Sequence, residues 1–318
     1  MSALRIATRR SDLAMAQAGI VRLMLKEQGR DAVLLPVDTT GDREGGTNRE
    51  GGTDRDSGTN REGVANKDRW IDAIVDLLRT GQADLAVHSA KDLPADDPED
   101  LVIAAVPERG DPRDVLVAGD DAYFDGDGPR RGARVGTSSL RRASQLRAVF
   151  PGIELVDLHG NVPTRLRKVQ QEGGPDVAVL AAAGLDRLGL TPPALRPLPV
   201  DVVVPAPGQG TLAIQCRTDD RPLRAAVSVL EHGVSATTLH AERALTRALG
   251  GDCNLPFGAF AQAHGDVVHL AACVATPDGS RVIRVAVEAA DAEQAAKDAT
   301  AELLDQGAGE ILDAVRAG

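Results

Sequence analysis

Twice along the chain a short apolar run passes straight into hydroxyl and arginine residues and then into a helical pattern: "RIATRRSDLAMAQ" and "RVGTSSLRRASQL". A strand that feeds a helix at once can bury both only as an α/β unit, with the helix folded back over a sheet. "LRIAT", "DAVLLPVDT" and "ADLAVHS" read as strands, separated by the helical stretches "SDLAMAQAGIVRLMLKEQG" and "RWIDAIVDLLRTG". Ser11 is the candidate N-cap of the first helix, and Gly29 lies past its end. The alternation returns in "ARVGTSSLRRASQLRAVF", "IELVDLHGNVPTRLRKVQQEG" and "PDVAVLAAAGLDRLGL", so two α/β lobes are expected.

After "PGQGTLAIQCR" the pattern changes. A helix at Ser235 to Leu249 leads into the loop "LGGDCNLPFG", two strand-like runs joined by "TPDGS" form a hairpin, and a long alanine-rich helix closes the chain. This predicts a smaller α+β domain. The expected boundaries are 1–107 with 205–220 for the first lobe, 108–204 for the second and 221–318 for the C-terminal domain. Pro197, Pro199, Pro205 and Pro207 mark the crossing back between the lobes. One segment fits none of these patterns. "GGTNREGGTDRDSGTNRE", Gly45 to Glu62, repeats a hexapeptide three times without one apolar position, so it can build no buried core. It is expected to lack a fixed fold, and its composition suits both a loop over a site and an inert expansion.

The net charge of -11 and the 2% aromatic content argue against nucleic acid or an anionic membrane as partner, since both are bound through diffuse positive charge or stacking. No apolar run reaches membrane length and "MSALRIATRR" has no signal-peptide core, so a cytoplasmic location is expected. Cys216, Cys253 and Cys273 are widely spaced with no CxxC pair, which indicates neither a disulfide framework nor a metal site. Arginines nevertheless cluster locally, at Arg9 and Arg10, at Arg141 and Arg142, and at Arg165 and Arg167. In an acidic protein such clusters suit a small, multiply charged acid, although any single arginine taken alone reads more readily as a solvated surface charge.

In "RVGTSSLRR", Thr137, Ser138 and Ser139 fall at a helix start, where hydroxyls and free N–H groups converge, with Arg141 and Arg142 in the first turn. Thr8, Arg9 and Ser11 repeat that arrangement in the first lobe. "ADLAVHSAKDLP" ends a strand with Lys91 and Asp92, where a carboxylate can stabilise a developing cation, although by residue type alone an aspartate there more often bonds its own turn. "LHGNVPTRL" offers Asn161 as N-cap and Arg165 on the following helix. Cys253 sits among Gly250, Gly251, Asp252 and Asn254, a turn composition that lets a thiol project. Neighbouring Asp252 opposes thiolate formation, which suits a one-time covalent anchor better than a turnover nucleophile.

These stretches, with "DPRDVLV", "AAAGLDRLGL", "PAPGQGTLAIQCR", "AERAL" and "GGDCNLPFG", resemble the porphobilinogen deaminases, also called hydroxymethylbilane synthases. The resemblance implies an α/β fold of two periplasmic-binding-protein-like lobes plus a C-terminal α+β domain. It implies a transferase that joins four porphobilinogen molecules head to tail on a dipyrromethane cofactor, with loss of ammonia, and then hydrolyses off hydroxymethylbilane for tetrapyrrole and haem biosynthesis. Cys253 would carry that cofactor through a thioether, and Asp92 matches the catalytic aspartate. Lys91, Thr137, Ser138, Ser139, Arg141 and Arg142 match cofactor-binding positions; Arg9, Ser11, His159, Arg165, Arg187 and Lys67 match substrate-side positions. The family also suggests a monomer.

Three positions depart from the family pattern. His159 stands where arginine is usual, and histidine is shorter and charged only when protonated, so carboxylate binding there is expected to weaken as pH rises. The hexapeptide repeat falls in the family's glycine-rich active-site loop, where only "NKDRW", with Lys67 and Trp70, matches. Asp12 stands where proline is common. A non-catalytic small-carboxylate binding module on the same scaffold is the alternative, and the presence of both Cys253 and Asp92 argues against it.

Overall fold

The computed structural model describes residues 3–37, 72–251 and 255–317. They fall into two compact units, one of Met1–His88, Asp97–Ala105 and Ala213–Leu230, the other of Ser89–Asp96, Val106–Leu212 and Glu231–Gly318.

The first unit is built on a five-stranded sheet in the order Ala32–Val37, Leu4–Arg9, Leu85–Ser89, Leu212–Arg217, Leu101–Ala105. Leu4–Arg9 runs parallel to both neighbours, as strands joined through helical crossovers do. The helix Asp12–Glu27 starts where the sequence placed it: the Ser11 hydroxyl accepts the Ala14 N–H at 3.4 Å, and Gly29 follows the helix at φ 70. Ala7, Ala86 and Leu101 of the sheet bury against Ile74 and Leu78, which lie in the helical residues 72–79.

The second unit holds two larger sheets, besides the two-stranded ribbon of Phe124–Asp125 and Gly128–Pro129. Five strands lie in the order Ala194–Pro197, Asp114–Ala118, Val177–Ala181, Arg134–Gly136, Glu154–Val156. Val177–Ala181, Arg134–Gly136 and Glu154–Val156 run parallel, and the first two lead into the helices Ala182–Leu188 and Leu140–Val149. Asp114–Ala118 runs antiparallel beside them and is buried at every position, with Asp114 opposite Ala181. That register sets the Asp114 carboxylate at the carboxyl ends of the parallel strands, where the helices begin and where α/β sheets place their ligand crevices.

The second sheet is antiparallel, Phe257–His264, Val267–Ala275 and Val282–Ala289, and it shares a core with the helices Gly233–Ala248 and Ala292–Asp305. Two elements differ from the sequence reading. The first strand-like run is a hairpin of its own, turned at Gly265 (φ 59), and the closing helix breaks at Gly307 (φ 89) into Ala292–Asp305 and Ala308–Ala317. In both cases a single glycine in the left-handed region ends an element whose apolar pattern continues past it. Among the described residues no helix is long and apolar enough to cross a membrane.

The "TPDGS" turn docks on the helix Leu140–Val149. The Arg147 guanidinium donates to the Pro277 carbonyl at 2.5 Å, and the Asp278 carboxylate accepts from the Ser280 N–H at 3.1 Å and the Thr276 hydroxyl at 2.6 Å. A Cβ on Gly279 (φ 72) would stand 2.7 Å from the Ser144 carbonyl oxygen and 2.8 Å from the Arg147 Cβ. Gly279→Ala therefore strains the backbone and forces the turn off the helix, and a loss of more than about 1 kcal/mol is expected in chemical denaturation.

Candidate active site

The strand-to-helix junction after Gly136 forms as the sequence suggested, but its hydroxyls are divided between tasks. The Thr137 oxygen accepts the Ser139 N–H at 3.1 Å, and the Ser139 oxygen caps the helix by accepting the Arg142 N–H at 3.4 Å. Ser138 alone is exposed, and it receives the Arg165 guanidinium at 3.5 Å. Gly136 cannot carry a side chain here, since a Cβ would stand 2.8 Å from Leu158.

Arg141 and Arg142 turn inward instead of fanning out. Arg141 donates to one Asp114 oxygen at 2.7 Å and to the Val204 carbonyl at 2.7 Å. Arg142 donates to the other Asp114 oxygen through Nε at 3.0 Å and Nη2 at 2.7 Å, and through Nη1 to the Val179 carbonyl at 3.0 Å. The side chains are 6%, 7% and, for Asp114, 0% exposed, so the cluster sits in the core. Burial pushes the Asp114 carboxyl up, but the two guanidiniums outweigh that and hold it far below the usual carboxylate range. The anion that these arginines grip directly is thus part of the protein. The sequence analysis does not single out Asp114; the available signal is an acidic residue opening the apolar run "VLV" within "DPRDVLV".

Lys91 and Asp92 occupy the short helical turn Ala90–Asp92, partly buried, with the Ala90 N–H bound to the Thr211 carbonyl at 2.9 Å. The Lys91 ammonium donates to the Gln209 side-chain oxygen at 3.2 Å and forms no ion pair with Asp92. The Asp92 carboxylate accepts no hydrogen bond from the described residues, so it does not bond its own turn. Arg165 lies on the helix Val162–Val169, whose N-cap is Asn161 as expected, and donates to the Gly160 carbonyl at 2.7 Å. Arg187, on Ala182–Leu188, donates to the Gly210 carbonyl at 2.5 Å. His159 is 71% exposed and its ring pairs with Asp157 at 2.6 Å.

Lys91, Arg165 and Arg187 share one property: each is held by neutral oxygens, and none ion-pairs with a carboxylate among the described residues. Burial and the nearby Arg142 push Lys91 down to about 8 and Arg165 down to about 10, and burial pushes Arg187 down to about 10. Asp92 and Asp114 offset this in part for Lys91, Asp157 for Arg165 and Asp186 for Arg187. A partly desolvated cation with no carboxylate bonded to it directly still gains when an anion joins it, so this donor set fits a ligand bearing several carboxylates. Arg9 and Ser11 belong to the first unit, at the end of Leu4–Arg9 and at the helix cap. Cys253, Lys67, Trp70 and the repeat at 45–62 lie outside the described residues. Cys216 and Cys273 are buried, and burial pushes both thiols up, that of Cys273 to about 11, which disfavours their thiolates. Among the described residues no cluster of metal-ligating side chains forms.

A family model for the porphobilinogen deaminase dipyromethane cofactor binding domain matches residues 4–225, and one for the C-terminal domain of the same enzymes matches 236–305. The chain belongs to the porphobilinogen deaminase family. Similar members include the porphobilinogen deaminase of Xanthomonas axonopodis pv. citri, 40% identical over 98% of this chain and 99% of that protein. That of Laribacter hongkongensis is 40% identical over 98% of both chains. The two α/β sheets and the C-terminal sheet with its helices agree with the fold class that the family resemblance implied.

Removing the Asp114 charge strands two buried guanidiniums, so Asp114→Asn is expected to cost about 3–5 kcal/mol of unfolding free energy. A loss below 1 kcal/mol, on the order of a surface pair, would mean that the cluster is solvated. For Lys91 the folded value lies below the ordinary 10.5, so between about 8 and 10.5 the unfolded chain binds the extra proton. Wild-type stability is therefore expected to rise with pH across that window relative to Lys91→Met, as denaturation curves at each pH would register.

Proposed function

We propose that the chain is a porphobilinogen deaminase, a transferase that links four porphobilinogen molecules head to tail, releases ammonia at each addition and frees hydroxymethylbilane by hydrolysis. The observation that carries this reading is the trio of Lys91, Arg165 and Arg187, which bond no carboxylate among the described residues, in the unit that also holds Asp92, whose carboxylate accepts from none of the described residues. Porphobilinogen carries an acetate and a propionate, which such donors bind. When bound, the dipyrromethane group supplies the pyrrole end at which the chain grows. Cys253 would be its attachment point.

In this reading Lys91 and Ser138 contact the cofactor's carboxylates, and Thr137 and Ser139 hold the turn that presents them. Arg142 has all three nitrogens engaged, so it favours a bound carboxylate through its field, and Arg141 supports it from the same cluster. Arg165 and Arg187 receive the substrate's carboxylates, with Arg9, Ser11, His159 and Lys67 as further substrate-side contacts. Asp92 offers a carboxylate that no donor among the described residues occupies. It can accept a pyrrole N–H and stabilise the positive charge that develops as ammonia departs. The same reading makes the chain a cytoplasmic monomer that acts on its small-molecule substrate and binds neither nucleic acid nor membrane.

Intact mass decides between this activity and a carboxylate-binding module. Wild-type protein is expected to exceed its polypeptide mass by two deaminated pyrrole units and to gain single units on addition of porphobilinogen, whereas Cys253→Ala keeps the bare mass. Asp92→Asn is expected to keep the initial excess while turnover falls by about 100-fold or more. A bare wild-type mass that porphobilinogen leaves unchanged would make the chain a binding module.

A further inference from the structure

Gln209 lies between two glycines in the left-handed region, Gly208 (φ 72) and Gly210 (φ 85), and is 1% exposed. Its backbone has little room to move. The Gly208 N–H donates to Glu242 at 2.6 Å, and the Gln209 carbonyl accepts the Arg109 Nε at 2.9 Å. A Cβ on Gly208 would stand 3.0 Å from the backbone of Ala90 and Lys91, so the loop is pressed against the turn that carries Lys91 and Asp92.

The side chain spans the site. Its amide nitrogen donates to the Pro112 carbonyl at 2.8 Å and to Asp114 Oδ1 at 2.9 Å, while its oxygen accepts from Lys91 Nζ at 3.2 Å. The two acceptors fix the amide's sense, because a flip would set its oxygen against two oxygens and its N–H groups against an ammonium. Lys91 is therefore oriented by a neutral oxygen. Such a contact aims the ammonium without neutralising it and leaves further N–H groups for an incoming carboxylate. A glutamate in the same place would neutralise Lys91 and face Asp114 across a hydrogen-bond distance.

We propose that Gln209 is a positioning residue for carboxylate binding: it anchors on Asp114 and holds the Lys91 ammonium in place with its charge available to the ligand. The proposal rests on the reading that Lys91 contacts a carboxylate of the cofactor or the substrate. It also requires that residue 209 be an amide, and the test follows from that.

The reactivity of Lys91 toward trace acetic anhydride, followed by peptide mass spectrometry across pH, reports its protonation without any turnover. Gln209→Glu is expected to move the Lys91 midpoint up by at least one pH unit and to raise the KM for porphobilinogen at least tenfold, with a smaller change in kcat. Gln209→Met removes the acceptor and is expected to move the midpoint down, and it serves where the glutamate variant does not fold. A midpoint unchanged in a folded variant, or a kcat that falls only in step with Tm, overturns the role of Gln209. Wild-type protein that fails to turn over porphobilinogen defeats the reading of the site instead, and the labelling midpoint still decides whether Gln209 governs Lys91.

Discussion

The Asp114 carboxylate, buried among two guanidiniums and an amide, is the contact on which the proposed site depends. It opens a strand in the middle of a sheet, where an ionised carboxylate alone would be prohibitively expensive. Arg141 and Arg142 from the next helix and Gln209 from a distant loop neutralise and saturate it. Because the partners come from two segments, the helix and the loop, the same contact that stabilises the charge also fixes the start of the helix Leu140–Val149 and the position of the loop. In a low dielectric, charge-assisted contacts at 2.7 Å are stiff as well as strong.

A second buried carboxylate completes the frame from the C-terminal side. Glu242, on the helix Gly233–Ala248, accepts from Arg109 at 2.7 and 3.2 Å, from the Gly208 N–H at 2.6 Å and from the Ala261 N–H at 2.8 Å. The loop around Gln209 is thus held by Glu242 through its backbone and by Asp114 through its side chain. Both acids are fully engaged by protein donors. Lys91, Arg165 and Arg187, by contrast, are held by neutral oxygens, and in the proposed reading they are the cations offered to a ligand.

Much of the architecture was legible in the chain. The caps at Ser11 and Asn161, the strand-to-helix junctions and the "TPDGS" turn are local devices, and each sits where its residues placed it. The break at Gly307 and the turn at Gly265 were not read, because apolar periodicity runs through both and only the backbone conformation shows which glycines end an element. Arg141 and Arg142 were read as facing an external anion. An arginine after a helix start has the same local sequence whether it points to solvent or to a buried acid, and Asp114 lies 27 and 28 positions away.

The sequence by itself determined the alternation of strands and helices, the residues that start and stop them, and the types of group available for carboxylate chemistry. These follow from local periodicity, capping and composition, which need no knowledge of distant partners. Only the tertiary structure decided which cations are neutralised by an acid of the protein and which are held by neutral oxygens. Arg142 and Lys91 are both basic residues just beyond a strand, yet one ends on Asp114 and the other on Gln209, a neutral side chain 118 positions along the chain. Whether a cation meets an acid or an amide depends on sheet register and loop placement, and those are settled only when segments far apart in sequence pack together.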